Sequence, residues 1–370
     1  MMIRNKFRQL SPSGRALSAV KGLSSVFSLR LWAGMACSLL LLALTSCQEA
    51  EERDNTPQGN LDALWEIIDQ RYCFLDYKEQ TLGINWNHIH ATYRARLTTG
   101  MTGEQLFEVL AAMLSELRDG HVNLYTSMDM ARNWSWREDF PANFRQDLQD
   151  DYLGTATDYR IAGGIKYRIL DDNIAYMVVS SFSNGFGEGN LDDVLLHFRL
   201  CDGLILDVRN NSGGDLTYAE RLARRFTNEK RLVGYLSHKT GTGHADLSAP
   251  EAEYIEPSNG IRWQKRAIVL TNRSCYSATN TFVRDIRQCP LVQTLGDQTG
   301  GGSGLPFSSE LPNGWSVRFS ACPSYDAQMQ HTEFGIQPDI TCALDSADAA
   351  KGIDTLIEEA RKRLKAGRTI

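Results

Sequence analysis

The pattern that most constrains the fold is an alternation of short apolar runs and amphipathic stretches between residues 174 and 295. Residues 174–179, 203–208 and 267–270 are continuous apolar runs of strand length, and segments with helical periodicity separate them. Strands that are apolar on both faces are typical of parallel sheets, because helices cover both faces of such sheets. The alternation therefore predicts an α/β core built on a mostly parallel, helix-covered sheet.

Amphipathic helices are predicted before and after this core. A Pro312-Asn313-Gly314 turn between alternating residues also predicts a β-hairpin over residues 310–320. Residues 126–172 contain short alternating runs, which favour strands. The predicted organisation is a helical N-terminal domain over 61–125, a β-rich connecting segment over 126–172 and an α/β core with a closing helix over 173–370.

The N-terminus has the organisation of an export signal. Residues 1–46 carry six basic and no acidic residues, and their apolar stretch is shorter than the roughly 20 residues that a transmembrane helix needs. Leu-Thr-Ser before Cys47 resembles the lipobox of bacterial lipoproteins, which implies cleavage before Cys47 and acylation of its thiol. We therefore expect a signal peptide over 1–46, a polar tether over 47–60 and a lipid anchor in the outer membrane. The protein would face the periplasm or the cell surface.

Charge and cysteine spacing exclude two classes of function. Removing residues 1–46 changes the formal net charge from -6 to -12, so the chain lacks the basic balance that a nucleic-acid partner requires. Six cysteines follow Cys47, and none forms a Cys-x-x-Cys pair. A zinc site is therefore not predicted.

A serine lies where the third apolar run passes into a helix. The run 267–270 is followed by a Thr-Asn-Arg turn, and an amphipathic helix begins near Ser277. A hydroxyl at this point lies near the positive end of the helix dipole, where a developing oxyanion is stabilised. A serine in this position is more often an ordinary N-cap. The local sequence alone therefore favours the cap and leaves the catalytic interpretation open.

A histidine follows the end of a predicted helix over 102–117. Gly120 is expected to adopt the left-handed conformation that ends many helices. His121 would then be fixed just beyond a rigid element. A histidine in this position is more often structural than catalytic, so its role depends on what else lies nearby.

Two glycine-rich turns also follow predicted strands. Residues 207–215 run from a strand into a polar turn that contains Gly213 and Gly214, and bare backbone N–H groups at such a turn suit an anion or an oxyanion. Residues 296–304 contain too much glycine for a regular element. This second segment predicts backbone packed closely against another chain segment or a ligand.

Together these segments resemble the family of tail-specific (C-terminal processing) and tricorn-type serine proteases. The resemblance covers roughly residues 61–125 and 173–342 and includes the Gly-Ile-Gln-Pro-Asp motif at 335–339. It implies a crotonase/ClpP-like core with Ser277 as the nucleophile. No lysine lies between Lys265 and Lys351. The Ser-Lys dyad of one branch is therefore not expected, and His121 matches the histidine base of the tricorn branch.

The resemblance also implies the remaining site residues. Glu333 lies nearest the position of the family's acidic residue, and Glu310 or Asp326 could take that role instead. No metal or organic cofactor is called for. The backbone N–H groups expected to form the oxyanion hole are those of Gly213, Gly214 and Ala278.

We therefore predict a serine endopeptidase that hydrolyses peptides or unfolded polypeptides. Only about 50 residues separate His121 from Ile174, too few for the PDZ domain that many family members insert there. The alternative is a catalytically inactive binding protein on the same scaffold, with a small apolar ligand, a peptide or a glycan as its partner. The glycan interpretation depends on tryptophans such as Trp134 and Trp136.

Overall fold

A computed structural model describes residues 54–366 of the chain. The predicted signal peptide, Cys47 and the first part of the predicted tether lie outside these residues. Within the described range, no helix is both long and apolar enough to cross a bilayer. The helices are α1 (Pro57–Arg71), α2 (Leu75–Leu82), α3 (Trp86–Arg94), α4 (Gly103–Ser115), α5 (Ser135–Glu138), α6 (Gln146–Leu153), α7 (Glu188–His197), α8 (Leu216–Ala223), α9 (Ala278–Ile286), α10 (Ser346–Ala349) and α11 (Thr355–Ala366).

The strands form three sheets with seven, four and three members. In chain order they are β1 (Asn123–Tyr125), β2 (Met130–Ala131), β3 (Arg160–Ala162), β4 (Ile165–Ile169), β5 (Ile174–Val179), β6 (Gly203–Asp207), β7 (Arg231–Leu236), β8 (Glu251–Ile255), β9 (Ala267–Thr271), β10 (Val292–Gly296), β11 (Leu305–Glu310), β12 (Ser316–Cys322), β13 (Ser324–Asp326) and β14 (Ile340–Thr341).

The largest sheet has the strand order β14-β10-β9-β6-β5-β4-β3. The pairs from β14 to β5 are parallel, and the two pairs at the β3 end are antiparallel. Side chains alternate between its two faces. On β5, Ala175, Met177 and Val179 join a core with α7, α8 and α9, whereas the residues between them join a core with α11. The prediction of a mostly parallel, helix-covered α/β sheet is confirmed.

A second core lies between helices α1 to α4 and the four-stranded sheet β11-β12-β1-β2. The predicted hairpin forms β11 and β12, and β12 pairs antiparallel with β1. Val317 and Phe319 from the hairpin are buried with Leu124 and the helices. The predicted helical domain over 61–125 therefore shares its core with a hairpin from the predicted α/β core, because neither could bury its apolar face alone.

Two predicted boundaries differ from the structure. Residues 57–60, placed in the polar tether, are the first turn of α1, with Thr56 accepting a hydrogen bond from the Gly59 N–H. A threonine cap followed by proline is a helix-start signal. The connecting segment 126–172 is not predominantly β, because it contains helices α5 and α6 as well as β2, β3 and β4.

Candidate active site

Ser277 lies at a sharp turn between β9 and α9. Its backbone has φ 57° and ψ -121°, a left-handed conformation that is strained for a side chain other than glycine. Although Ser277 occupies the N-cap position, its side chain makes no capping hydrogen bond. Its Oγ lies 3.0 Å from Nε2 of His121, a residue 156 positions away in the chain. The structure thus contradicts the capping interpretation of this serine.

The glycine-rich segment 296–304 holds the Ser277 turn through its backbone. The Ser277 N–H donates to the Gly301 carbonyl at 2.9 Å, and Tyr276 forms a parallel bridge with Gly301. Gly301 has φ +87°, and a Cβ at this position would lie 1.8 Å from the Glu333 carbonyl oxygen. Only glycine fits this close approach. The segment packs against another part of the chain, as its composition predicts.

His121 is held by a turn that the buried carboxylate of Asp119 stabilises. Asp119 Oδ1 accepts a hydrogen bond from the His121 N–H at 2.7 Å. Gly120 does not adopt the left-handed conformation that we expected, and Arg118 does so instead with φ 47°. Gly120 is needed for space, since a Cβ there would lie 2.6 Å from Trp136 Nε1.

The imidazole of His121 is almost fully buried, with 5% of its surface exposed. Burial lowers the pKa of His121 to about 4; the nearby charge of Asp119 opposes this shift and that of Arg318 adds to it. The ring is therefore neutral at neutral pH, and Nε2 can accept a proton. Among the described residues, Nδ1 has no hydrogen-bond partner, although the backbone of Gly304 lies near enough to the ring to raise its pKa.

Glu333 is buried, but its carboxylate is not hydrogen-bonded to His121. One carboxylate oxygen lies 3.2 Å from Lys78 Nζ, and the other accepts the Ser303 N–H at 3.0 Å. The two other acidic candidates also lie elsewhere. Glu310 is exposed at the end of β11, and the Asp326 carboxylate accepts N–H groups of its own turn. Within the described residues, no acidic side chain is hydrogen-bonded to the His121 ring.

Three buried charges lie behind the catalytic candidates: Lys78, Asp119 and Glu333. Lys78 Nζ is 4.0 Å from Asp119 and also donates to the Leu117 carbonyl at 2.8 Å. Burial and the charge of Asp119 raise the pKa of Glu333 to about 7 against the opposing effect of Lys78. Burial also acts to raise the pKa of Asp119, but Lys78, His121 and its hydrogen bonds hold it below the ordinary value. One cation thus stabilises two carboxyl groups.

Sequence reasoning missed both Lys78 and Asp119. Lys78 lies on α2, a helix we did not predict, and its polar neighbours gave no sign that it is buried. Asp119 lies two positions before His121, and this spacing is a usable signal. An aspartate commonly accepts the N–H two residues later, so it could have been chosen as the group that fixes the turn.

The three predicted oxyanion donors differ in availability. The Gly213 N–H donates to Asn211 Oδ1 at 2.9 Å. The N–H groups of Gly214 and Ala278 have no acceptor among residues 54–366. Ala278 is the first residue of α9, and its nitrogen would lie 3.0 Å from a Cβ built at Gly213. The two turns are therefore in contact beside Ser277, with two donors free.

An open cleft of about 320 Å³ contains the Ser277–His121 pair. A stack of Trp136 on Tyr276, with ring centroids 4.0 Å apart, separates it from a smaller cavity of about 160 Å³ that reaches Glu333. In the described part of the chain, no three His, Cys, Asp or Glu side chains are grouped as a metal site. The cleft is lined by Gly120, His121, Asn123, Tyr125, Met130, Arg132, Trp134, Trp136, Ser212, Gly214, Tyr276, Ser277 and Arg318.

Two family models match separate parts of the sequence. The model of peptidase family S41 matches residues 173–342, and the model of the tricorn protease C1 domain matches residues 53–115. The first match covers both glycine-rich turns and Ser277. The second covers the helices that precede His121.

Two curated proteases are similar to the central part of the chain. The carboxy-terminal processing protease CtpA of Bacillus subtilis is 23% identical over 177 residues, and the carboxyl-terminal-processing protease of Synechocystis sp. is 27% identical over 178 residues. These alignments cover 47% and 46% of this chain but only 36% and 39% of the relatives. The chain therefore matches little more than a third of the length of each curated relative.

Solved structures match over a larger share. A crystal structure of a protein from Parabacteroides merdae, provisionally described as a peptidase, is 51% identical. The match covers 84% of this chain and 97% of that chain, with a TM-score of 0.80. Mature CPAF complexed with lactacystin covers the same shares with a TM-score of 0.63 at 12% identity, which supports the fold alone.

Proposed function

We propose that this chain, which belongs to peptidase family S41 and carries a serine-type peptidase domain, is an endopeptidase. Its substrates would be peptides or unfolded polypeptides, with Ser277 as nucleophile and His121 as general base. The observation that carries this proposal is the 3.0 Å contact between Ser277 Oγ and His121 Nε2. Residues so distant in the chain meet in an open cleft, in the geometry that nucleophile activation requires.

In the first step, Ser277 Oγ attacks the carbonyl carbon of the peptide bond and its proton passes to His121 Nε2. The carbonyl oxygen becomes an oxyanion in the tetrahedral intermediate. The free N–H groups of Gly214 and Ala278 are the donors available to it. Oxyanion-hole donors of this kind contribute about 3 kcal/mol each in other proteases.

In the second step, the imidazolium of His121 gives its proton to the leaving amine as the C–N bond breaks. The acyl group remains on Ser277 as an ester. A water molecule then attacks the ester carbonyl and loses a proton to His121. When the ester C–O bond breaks, that proton returns to Ser277 Oγ, and the carboxylic acid product leaves.

A second candidate function is binding without hydrolysis. It is favoured by one observation: no carboxylate is hydrogen-bonded to His121 Nδ1 within residues 54–366. In the serine protease triad an acid orients the ring and stabilises the imidazolium. Here the buried charge of Asp119 acts on the ring through space. Its carboxylate also fixes the turn by accepting the His121 backbone N–H.

Labelling by a fluorophosphonate distinguishes these two functions. We expect the wild-type protein to form a covalent adduct at Ser277 and to cleave an unfolded polypeptide. Ser277→Ala should abolish both, with at least about a 10⁴-fold loss of kcat/KM. Ser274→Ala, in the same turn, is the matched control and should keep both activities. A folded wild-type protein that neither reacts nor cleaves would favour the binding function.

We also propose that a lipid on Cys47 holds the protein to the outer membrane. The basic N-terminus, the short apolar stretch and the Leu-Thr-Ser-Cys sequence support this proposal. Metabolic labelling with a fatty acid should mark the wild type and fail to mark Cys47→Ala. Equal labelling of the two proteins would contradict the anchor.

A further inference from the structure

We propose that the cleft binds an acidic side chain of the substrate beside the scissile bond, with Arg318 and Arg132 as its recognition residues. The inference rests on the proposed function, because the scissile bond is defined by Ser277 and His121. It names a preference that the peptidase activity alone does not imply. Because an endopeptidase cuts a chain that continues on both sides of the scissile bond, the carboxylate is that of an aspartate or glutamate side chain and not the end of the substrate chain.

The first argument is the direction of the strands that form the cleft wall. On β1, Leu124 is buried in the helical core together with Val317, its partner on β12. Side chains alternate along a strand, so the neighbouring pair Asn123 and Arg318 points to the opposite face. That face is the cleft. Arg318 is therefore directed at the substrate by the same alternation that builds the core.

The second argument is charge. Of the described residues, two arginines and no aspartate or glutamate line the cleft, although acidic residues outnumber basic ones in the whole chain, 45 to 39. Within residues 54–366, the side chains of Arg318 and Arg132 make no ion pair or hydrogen bond, whereas the buried Arg209 side chain is paired with Asp207 and Asp354. Two guanidinium groups without a protein partner thus face the cleft.

The third argument is position. Asn123, the cross-strand partner of Arg318, lies two residues after His121. His121 lies in a turn just before β1, so these two residues span at most about 7 Å, which is the length of two residues of a bound peptide. Arg318 is close enough for its charge to act on the His121 ring. A carboxylate held by Arg318 would therefore lie within about two residues of the bond that is cut.

The chemistry of the guanidinium group selects the ligand. Its planar array of N–H donors matches a carboxylate, often with two parallel hydrogen bonds. Arg318 is only half-exposed, so water screens it less than the exposed Arg132. The side chains of Asn123 and Tyr125 lie on the same cleft and add polar groups. An uncharged amide of the same size would lack the ionic attraction to the guanidinium group.

Matched peptides that differ by one group test the inference. One series carries glutamate or glutamine at each of two positions on either side of the cleavage point, and a second carries a free or an amidated C-terminus. We expect kcat/KM to favour glutamate over glutamine by about ten- to a hundredfold at one or more of these positions. A preference for the free C-terminus with none for glutamate would overturn the inference, because the recognised carboxylate would then be a chain end.

Substitution should remove the preference without abolishing hydrolysis. Arg318→Gln is expected to bring carboxylate and amide substrates to within about threefold of each other without abolishing turnover of the amide substrate. Arg132→Gln should have a smaller effect, because Arg132 is exposed. Arg160→Gln removes an exposed charge from the outer strand of the seven-stranded sheet and serves as the control. Equal preference in Arg318→Gln and Arg160→Gln would overturn the inference.

Binding to the Ser277→Ala variant separates this inference from the proposed function. Fluorescence anisotropy of the same labelled peptides should show tighter binding of the carboxylate member, and the added Arg318→Gln change should abolish the difference. Hydrolysis without any carboxylate preference would overturn the inference and leave the peptidase proposal standing. Carboxylate-selective binding by a protein that cleaves nothing would support carboxylate recognition by Arg318 and overturn the peptidase proposal.

Discussion

The turns that carry Ser277 and His121 are built in different ways. The Ser277 turn is held mainly by backbone hydrogen bonds to a glycine-rich segment, and the Arg273 side chain in the same turn donates to the Thr299 carbonyl of that segment. The His121 turn is held by the carboxylate of Asp119, which in turn depends on the buried Lys78 and on neighbouring hydroxyl groups. The Ser277 turn thus depends mainly on close backbone packing, whereas the His121 turn depends on buried charged groups.

Because of this difference, we expect the two turns to respond differently to changes in pH and to the loss of a charged side chain. Backbone hydrogen bonds between closely packed segments are insensitive to pH, whereas buried charges depend on every partner being present and correctly ionised. The buried side chains behind His121 include two carboxyl groups and one lysine. We expect substitutions on the His121 side to be costly and substitutions on the Ser277 side to show only local strain.

The largest effect on stability is expected from Lys78→Met. Removing this cation leaves Asp119 and Glu333 buried without their charged partner, at a cost of about 3–5 kcal/mol in the free energy of unfolding. Urea denaturation measures this change. Lys230→Met is the matched control, because Lys230 forms an exposed ion pair with Glu256 and should cost no more than about 0.5 kcal/mol.

The double variant Lys78→Met with Glu333→Gln sharpens that comparison. It removes one carboxylate charge along with the cation, so it should recover part of the stability lost by Lys78→Met alone. A Lys78→Met protein as stable as Lys230→Met would show that charges do not hold the His121 turn.

The next effect is on the pH dependence of catalysis. His121 must be neutral to accept a proton, and burial lowers its pKa to about 4 from the ordinary histidine value of 6.5. Activity should therefore persist below pH 6.5 and be lost as the pH falls through about 4. The acidic limb of kcat/KM against pH for an uncharged substrate measures this value, and a limb near 6.5 would contradict it.

Two substitutions should move that limb in opposite directions. Asp119 favours the imidazolium and Arg318 disfavours it. Asp119→Asn is therefore expected to shift the limb to lower pH and Arg318→Gln to higher pH. Shifts of the same sign would mean that the charges beside the ring do not control its ionisation.

The smallest effect tests the strain in the Ser277 turn. Its φ of 57° is accessible to glycine without strain but costs other residues about 1–3 kcal/mol. The free energy of unfolding of Ser277→Gly should therefore be about 1 kcal/mol higher than that of Ser277→Ala. This figure already subtracts the conformational entropy that glycine loses on folding. Equal stability of the two inactive variants would show that the turn stores no strain.

The Ser277 side of the site could be predicted from sequence because its signals are local. An apolar strand, a serine and a helix follow one another within a short segment, and the glycines of 296–304 report close packing directly. The family resemblance drawn from these motifs is confirmed by the two family matches. The assignment of catalytic roles to Ser277 and His121 stays a prediction.

The His121 side could not be predicted to the same depth. Lys78 lies on a polar helix, and only the packing of distant segments makes it buried. Arg318 lies in the predicted hairpin, but its direction depends on the pairing of β12 with β1, which the sequence does not encode locally. The same limit applies to the fold, since the exposed strands β3 and β8 lack the apolar runs that identified β5, β6 and β9.

The pairing of β1 with β12 has a consequence for biosynthesis. About 190 residues lie between these strands, and β12 emerges from the ribosome late. A nascent chain that has reached only Ser277 still lacks the hairpin that pairs with the strand after His121. It also lacks the glycine-rich segment 296–304 that accepts the Ser277 N–H. The Ser277–His121 pair therefore gains its full surroundings only after residues 296–322 have been added, well after both of these residues have been synthesised.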